Sequence, residues 1–229
     1  MEQPDRTTIT SALKEQYAAV TEVVEQLPDD TFMRGTGCPG WCVRDVLFHL
    51  LLDAQRGLVA LATPARGSTD RDLVTYWQDF KPDTEDAAQA AKEHARFVRL
   101  SASAYRSPAA LVRQWRETAG ATARVAAEAT QQPVATQGHT IASTDLIGTL
   151  AVEAAVHYLD LTKELSDVPP PSRRALSLVR HTLDGLAGVP APDDWDDVTY
   201  ALKGTGRMRL DAADRDALGD AADHYPLFG

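Results

Sequence analysis

Glu153 and His157 stand four residues apart in a stretch whose apolar residues recur with helical spacing. A helix places residues i and i+4 on one face, so the pair aims a carboxylate oxygen and an imidazole nitrogen at a common point. Two such ligands want a third, and His49, in a second helical stretch, can supply it. Two imidazoles and one carboxylate leave at least one coordination position open, the pattern of a catalytic rather than a structural metal site. Zinc fits this ligand set, and Ni, Co, Fe or Mn could also load, because affinity alone does not choose the ion in a cell. The alternative for any Glu-x-x-x-His pair is a buried hydrogen bond between the two side chains, or an Arg or Lys partner from a neighbouring helix. One of these is required, since an unpaired carboxylate on a buried face is costly.

The burial itself follows from periodicity. Stepping about 100° per residue from Leu146 puts Leu150, Glu153, His157 and Leu161 in one narrow stripe, so the two polar residues continue the apolar face. Three carboxylates lie within helical reach of the imidazoles: Asp45 and Asp53 at i−4 and i+4 from His49, and Asp160 at i+3 from His157. A carboxylate on the distal ring nitrogen fixes the tautomer and raises ligand basicity. Asp45 reads equally as an acid favoured by the dipole at a helix start, and Asp53 and Asp160 as solvated surface residues. Cys38 and Cys42, the only cysteines, invite a Cys/His zinc reading with His49, but Cys-x-x-x-Cys is one residue off the usual redox spacing. His94, His139, His181 and His224 have no partner at ligand spacing; His139 is the one closest ahead of the ligand helix.

The elements that must position these groups are nearly all helical, because Ala, Leu, Val, Glu and Arg dominate and alternating strand patterns are scarce. The pattern gives helices over 6–27, 42–62, 108–131 and 144–166, the third with Ser107 as N-cap and Pro108 at N1, the fourth capped by Ser143 or Thr144. An insertion with two further helical stretches, 72–80 and 83–104, separates the second from the third and permits a crossover in place of a tight hairpin. After the linker Pro169-Pro170-Pro171, shorter helices are expected over 172–187, 193–202 and 211–222, with 207–210 extended. The organisation expected is a four-helix bundle over 1–168 and a small, mostly helical C-terminal extension over 172–229.

The segment Cys38-Pro39-Gly40-Trp41, followed by Val43-Arg44-Asp45 and His49, and much later Glu153, His157 and Asp160 in Glu-x-x-x-His-x-x-Asp, resembles the metal-binding domain of the mycothiol-dependent maleylpyruvate isomerases, within the DinB/YfiT-like superfamily. The likeness runs over about residues 6–165 and more loosely over Gly204-Thr205-Gly206-Arg207. It implies an all-α, DinB-like four-helix bundle and His49, Glu153 and His157 as ligands of a divalent metal. It also implies mycothiol, the low-molecular-weight thiol of actinobacteria, as the partner at the open position, and a small electrophilic substrate. A free thiol has a pKa of about 8.5, and coordination to a divalent cation deprotonates it. Isomerisation and S-transfer both follow from that chemistry. Hydrolysis by the same ligand set and a non-catalytic metal- or thiol-binding role stand as alternatives.

Among cationic residues Arg207 and then Arg56 are the candidates to meet charge developing on a substrate, since an Arg fork suits a carboxylate or enolate oxygen. For Arg207 a salt bridge to a nearby acid such as Asp211 competes with that role. The formal charge of -10 argues against nucleic acid as a partner. No apolar run long enough to span a bilayer occurs, and the N-terminal Met1-Glu2-Gln3-Pro4-Asp5-Arg6 is unlike a signal peptide, so a cytoplasmic location is expected. No Gly-rich phosphate loop, nucleophile elbow or Cys/His nucleophile pair is evident.

Overall fold

The computed structural model describes residues 4–80 and 85–229. Eight α-helices dominate these: α1 (Arg6–Gln26), α2 (Val43–Leu61), α3 (Glu85–Ser103), α4 (Pro108–Glu128), α5 (Ser143–Thr162), α6 (Arg173–Ala187), α7 (Asp197–Gly204) and α8 (Ala212–Leu218). A two-stranded antiparallel ribbon, β1 (Pro133–Thr136) and β2 (His139–Ala142), joins α4 to α5. Among the described residues no helix is long and apolar enough to cross a membrane.

The bundle is built from α1, α2, α4 and α5. In cross-section α1 touches α4 and α5, and α2 touches the same two, so α1 and α2 stand on one diagonal. That arrangement is possible because α2 and α4 are joined by the long insertion that carries α3. Apolar side chains close the centre, among them Leu13, Leu47, Leu51, Trp115 and Leu150. Two buried polar groups tie helices together: Trp115 donates its indole N–H to Thr21 Oγ1 at 2.9 Å, and Thr122 Oγ1 donates to the carbonyl of Ala54 at 3.0 Å.

On α5 nearly every residue is buried, not only the stripe of Leu146, Leu150 and Leu161. A helix apolar on all sides must be covered on all sides, and the cover on the face away from α2 is α6, which packs on both α1 and α5. Ser172 fastens that helix: it caps α6 through its own side chain, and it also bonds Gln16 at 3.0 Å and Glu15 at 2.9 Å on α1. Farther on, Lys203 of α7 and Asp214 of α8 form a buried ion pair at 2.5 Å, with the Trp195 indole N–H on the same carboxylate at 3.0 Å. These contacts fix the turn after α7, where Arg207 lies.

The helical pattern errs where turn chemistry takes over. The sequence pattern runs the third bundle helix to 131, but α4 ends at Glu128 and the β1–β2 ribbon follows. Gln137 and Gly138 both have positive φ, 46° and 83°, the pair of left-handed residues that a two-residue hairpin turn needs. Ser143 does not act as a cap: it is the first residue of α5, the N-cap is Ala142 without a side-chain bond, and the Ser143 hydroxyl donates to Thr130 O at 2.7 Å. The stretch assigned to a helix over 72–80 is a 3-10 turn, Thr75–Phe80, opened by Asp72 accepting from the backbone of Val74 and Thr75. Asp83 and Thr84, assigned to the start of the next helix, lie outside the described residues. In the C-terminal part α7 starts at Asp197, four residues later than the pattern suggests, with Asp196 as its cap.

Candidate metal centre

The centre sits where α2 and α5 run side by side, closed at one end by the loop before α2. In that loop Cys38-Pro39-Gly40-Trp41 forms a β-turn: Trp41 N donates to Cys38 O at 3.1 Å, with Gly40 at φ 79°. Pro at the second position and a left-handed Gly at the third are the requirements of a type II turn. The turn is pinned to α5 by Gly37, whose N–H donates to Asp160 O at 2.9 Å. A Cβ on Gly37 would fall 2.3 Å from Asp160 Oδ1 and 2.9 Å from the Asp160 Cα, so any other residue would force the loop and α5 apart. The result is that Cys38 and Trp41, at the two ends of the turn, both face the imidazoles.

His49, Glu153 and His157 meet as their spacing implies. Glu153 Oε1 is 3.0 Å from His49 Nε2 and 3.4 Å from His157 Nε2, and one donor atom from each residue lies within 4.8 Å of the others. The two rings stand edge to face with centroids 4.6 Å apart. Trp41 covers them, 5.3 Å from the His49 ring and stacked on His157 at 6.4 Å. Both His residues are buried, while the Glu153 side chain keeps 21% of its surface and opens the cluster to solvent.

Three features fit a divalent cation at these atoms. Both imidazoles present Nε2 to the same point, with their Nδ1 atoms engaged on the other side. His157 Nδ1 is held by Asp160 Oδ2 at 3.0 Å, which keeps the Nε2 lone pair free for a metal. Finally Asp53 Oδ2, buried and 3.3 Å from His49 Nε2, has no hydrogen-bond partner among the described residues. A buried orphan carboxylate oxygen beside two imidazoles and a second carboxylate marks a site short of positive charge.

The protonation balance shows the pull of these carboxylates on positive charge, for which a proton on His157 competes with a cation. Burial pushes the Glu153 carboxyl up, but hydrogen bonds from His157 and His49 outweigh it and hold it well below the usual range. For His157 burial favours the neutral ring, yet Asp160, Cys38 and Glu153 together raise it well above an ordinary histidine. Asp160 is in turn held low, burial being overcome by His157 and by Arg207. Asp53 is raised, chiefly by burial.

The flanking residues divide between expectation and surprise. Asp160 takes the distal nitrogen of His157, as its i+3 spacing allows. Asp53 does not take the distal nitrogen of His49: it lies on the Nε2 side, with its other oxygen on Arg56. Asp45 closes a capping box at the start of α2, accepting from Cys42 N at 3.1 Å, so the helix-start reading is the one the structure supports. Cys42 bonds the same carboxylate through Sγ at 3.2 Å, away from the imidazoles.

Arg207 does not pair with Asp211. It holds Asp160 with Nη2 at 2.9 Å and Nε at 3.2 Å, while Nη1 donates to Thr205 O at 3.0 Å. Arg56 lies on the rim against Asp53, about one-third exposed. His139 is remote from the centre and pairs with the surface acids Asp70 and Asp79 at 2.9 and 3.2 Å.

Two neighbours escape the spacing argument. Cys38 Sγ donates to Asp160 Oδ2 at 3.1 Å and stands 3.7 Å from His157 Nδ1, so a Cys/His pair exists that the sequence conceals across 119 positions. Cys38, His157 and Asp160 could also converge on a cation, but the Arg207 guanidinium already supplies positive charge there. His94, on α3, reaches His49 Nδ1 with its Nε2 at 3.2 Å; it has a partner, contrary to its isolation in the sequence.

No curated protein sequence matches the chain. Among solved structures, the crystal structure of the mycothiol-dependent maleylpyruvate isomerase shares the fold: TM-score 0.51 and 13% identity, over 81% of this chain and 69% of that one. The family model for the mycothiol maleylpyruvate isomerase N-terminal domain matches residues 13–162, which run from α1 to the end of α5 and include both imidazoles and Glu153. With that match spanning the bundle and its centre, the chain belongs to the mycothiol maleylpyruvate isomerase N-terminal domain family, and so to the thiol-dependent isomerase enzymes.

Proposed function

We propose that the chain is a metal- and mycothiol-dependent isomerase acting on a small, anionic, electrophilic substrate, with His49 Nε2, Glu153 Oε1 and His157 Nε2 as ligands of one divalent cation, zinc by its donor set. The observation that carries this reading is the convergence of those three atoms beside the orphan Asp53 oxygen. A cation held there supplies Lewis acidity, which lowers the pKa of a coordinated thiol so that it is a nucleophile at neutral pH.

The protein's own groups do the remaining tasks. Asp160, fixed by Arg207, holds the proton on His157 Nδ1 and orients that ring. Trp41 shields the rings on one side, and the exposed edge of Glu153 leaves the approach for thiol and substrate. Arg56, with one carboxylate as its partner, keeps further N–H groups of its fork for the carboxylates of a substrate. For isomerisation the sulfur adds to one carbon of a cis double bond conjugated to a carbonyl, and the electron pair moves to the carbonyl oxygen. The former double bond then rotates as a single bond, and the sulfur leaves with its pair as the trans double bond forms. Thiol is regenerated, and the atoms of substrate and product are the same. The bundle over 1–168 serves as the metal-holding unit, and the extension over 172–229 supplies Arg207.

Turnover of a cis-enone dicarboxylate by the zinc-loaded protein is expected to require added thiol. The Cys38→Ser, Cys42→Ser double variant should keep that activity within about threefold, because each hydroxyl can still donate to the carboxylate its thiol meets. A folded, metallated double variant with no activity would make a protein cysteine the nucleophile. Turnover that ignores thiol would favour hydrolysis.

A further inference from the structure

His94 lies on α3, outside the four bundle helices, and is solvent-exposed. Its place is set by packing. His94, Val98 and Ala102 follow one another at steps of four residues and so share a face; Val98 and Ala102 are fully buried, and α2 is the helix against which α3 packs. The same stripe that docks α3 therefore carries the His94 ring over His49, with ring centroids 5.2 Å apart and the Trp41 ring 6.2 Å away. Elsewhere on α3, Phe97 and Leu100 stay more than half exposed. Among the described residues α2 is the main helix partner of α3, and a helix held chiefly along one seam is among the more easily opened parts of a fold.

The contact from His94 Nε2 goes to His49 Nδ1 at 3.2 Å, on the far side of the ring from the atom that faces Glu153. A ring nitrogen that gives its lone pair to a cation leaves the ring proton on the other nitrogen. Once His49 binds through Nε2, its Nδ1–H must donate, and the acceptor placed to receive it is His94 Nε2. A carboxylate or carbonyl usually has this role; here an imidazole from a separate helix has it.

We propose that His94 is a positioning residue for His49, and that through it metal loading and the docking of α3 on the bundle strengthen each other. The inference rests on His49 as a ligand. Coordination makes Nδ1–H a better donor, which tightens the bond to His94 and with it the seat of α3. Linkage is reciprocal: the factor by which the ion stabilises docked α3 is the factor by which docked α3 raises metal affinity.

Zinc affinity, measured by competition with a chromophoric chelator, is compared for wild type, His94→Ala, His94→Gln and His157→Ala, with backbone hydrogen exchange of α3 followed in the presence and absence of zinc. His94→Ala should bind zinc about tenfold more weakly, and His94→Gln, whose amide oxygen can accept the same proton, should recover most of that loss. Zinc should slow exchange in wild-type α3 by a similar factor and leave α3 of His94→Ala unchanged. Affinity of His94→Ala within twofold of wild type, or α3 exchange in wild type that does not respond to zinc, would overturn the proposal. Failure of the ligand assignment itself looks different: wild type and His157→Ala would then bind zinc equally poorly or equally well.

Discussion

The His157→Ala variant is expected to lose more than a hundredfold in zinc affinity and to show no thiol-dependent turnover, while remaining folded. Removing a group that merely orients a ligand costs about 10–100-fold, and His157 is placed to give Nε2 itself. The substitution leaves the neighbours supplied: Asp160 keeps Arg207 and the Cys38 thiol, and Glu153 keeps His49. Circular dichroism and elemental analysis of the same preparation separate metal loss from unfolding. Metal content that survives in a His49→Ala, His157→Ala double variant would remove these residues from the site.

The second large effect is expected at Arg207. Asp160 is buried with 1% of its side chain exposed, and Arg207 is its charge partner. Arg207→Ala leaves that carboxylate with His157 and Cys38 alone, and breaking a buried pair in this way costs about 3 kcal/mol of stability. With Asp160 no longer fixed, His157 loses its orienting partner. Turnover should fall about a hundredfold, or roughly 2.7 kcal/mol, and zinc affinity about tenfold. As a cation facing substrate alone, Arg207 would have no bearing on the metal; its bond to the Asp160 that orients His157 changes that expectation. Arg207→Lys keeps a charge but not the fork that spans both Asp160 oxygens, and should recover stability better than turnover. A loss below threefold in turnover, with metal affinity intact, would make the C-terminal segment a structural cap.

What the sequence discloses about this centre is what lies on one helix. Glu153, His157 and Asp160 share α5, and their spacing alone sets their relation, as does that of Asp45 to the start of α2. The third proposed ligand, His49, is legible through the family resemblance carried by the turn and helix that precede it. His94 and Cys38 are not, because each approaches from an element whose position depends on tertiary packing: α3 on α2, and a loop drawn onto α5 by Gly37. The Arg207–Asp160 pair is hidden for the same reason, since the turn after α7 is placed by the Lys203–Asp214 lock and by α6 against α1 and α5. The β1–β2 ribbon is short enough for its Val134 and Ile141 pattern to be lost among helix formers; the Gln137-Gly138 turn was its one local signal.

One cation at His49, Glu153 and His157 is proposed to take up an external thiol as thiolate. Cobalt(II) substituted for zinc tests it directly, because a thiolate bound to cobalt gives an intense near-ultraviolet charge-transfer band that neither imidazole nor carboxylate produces. The protein loaded with about one equivalent of cobalt should develop that band, to saturation, as a low-molecular-weight thiol is added. The Cys38→Ser, Cys42→Ser variant should do the same, which assigns the sulfur to the added thiol. Cobalt bound at full stoichiometry with a spectrum that does not change on addition of thiol would contradict the account.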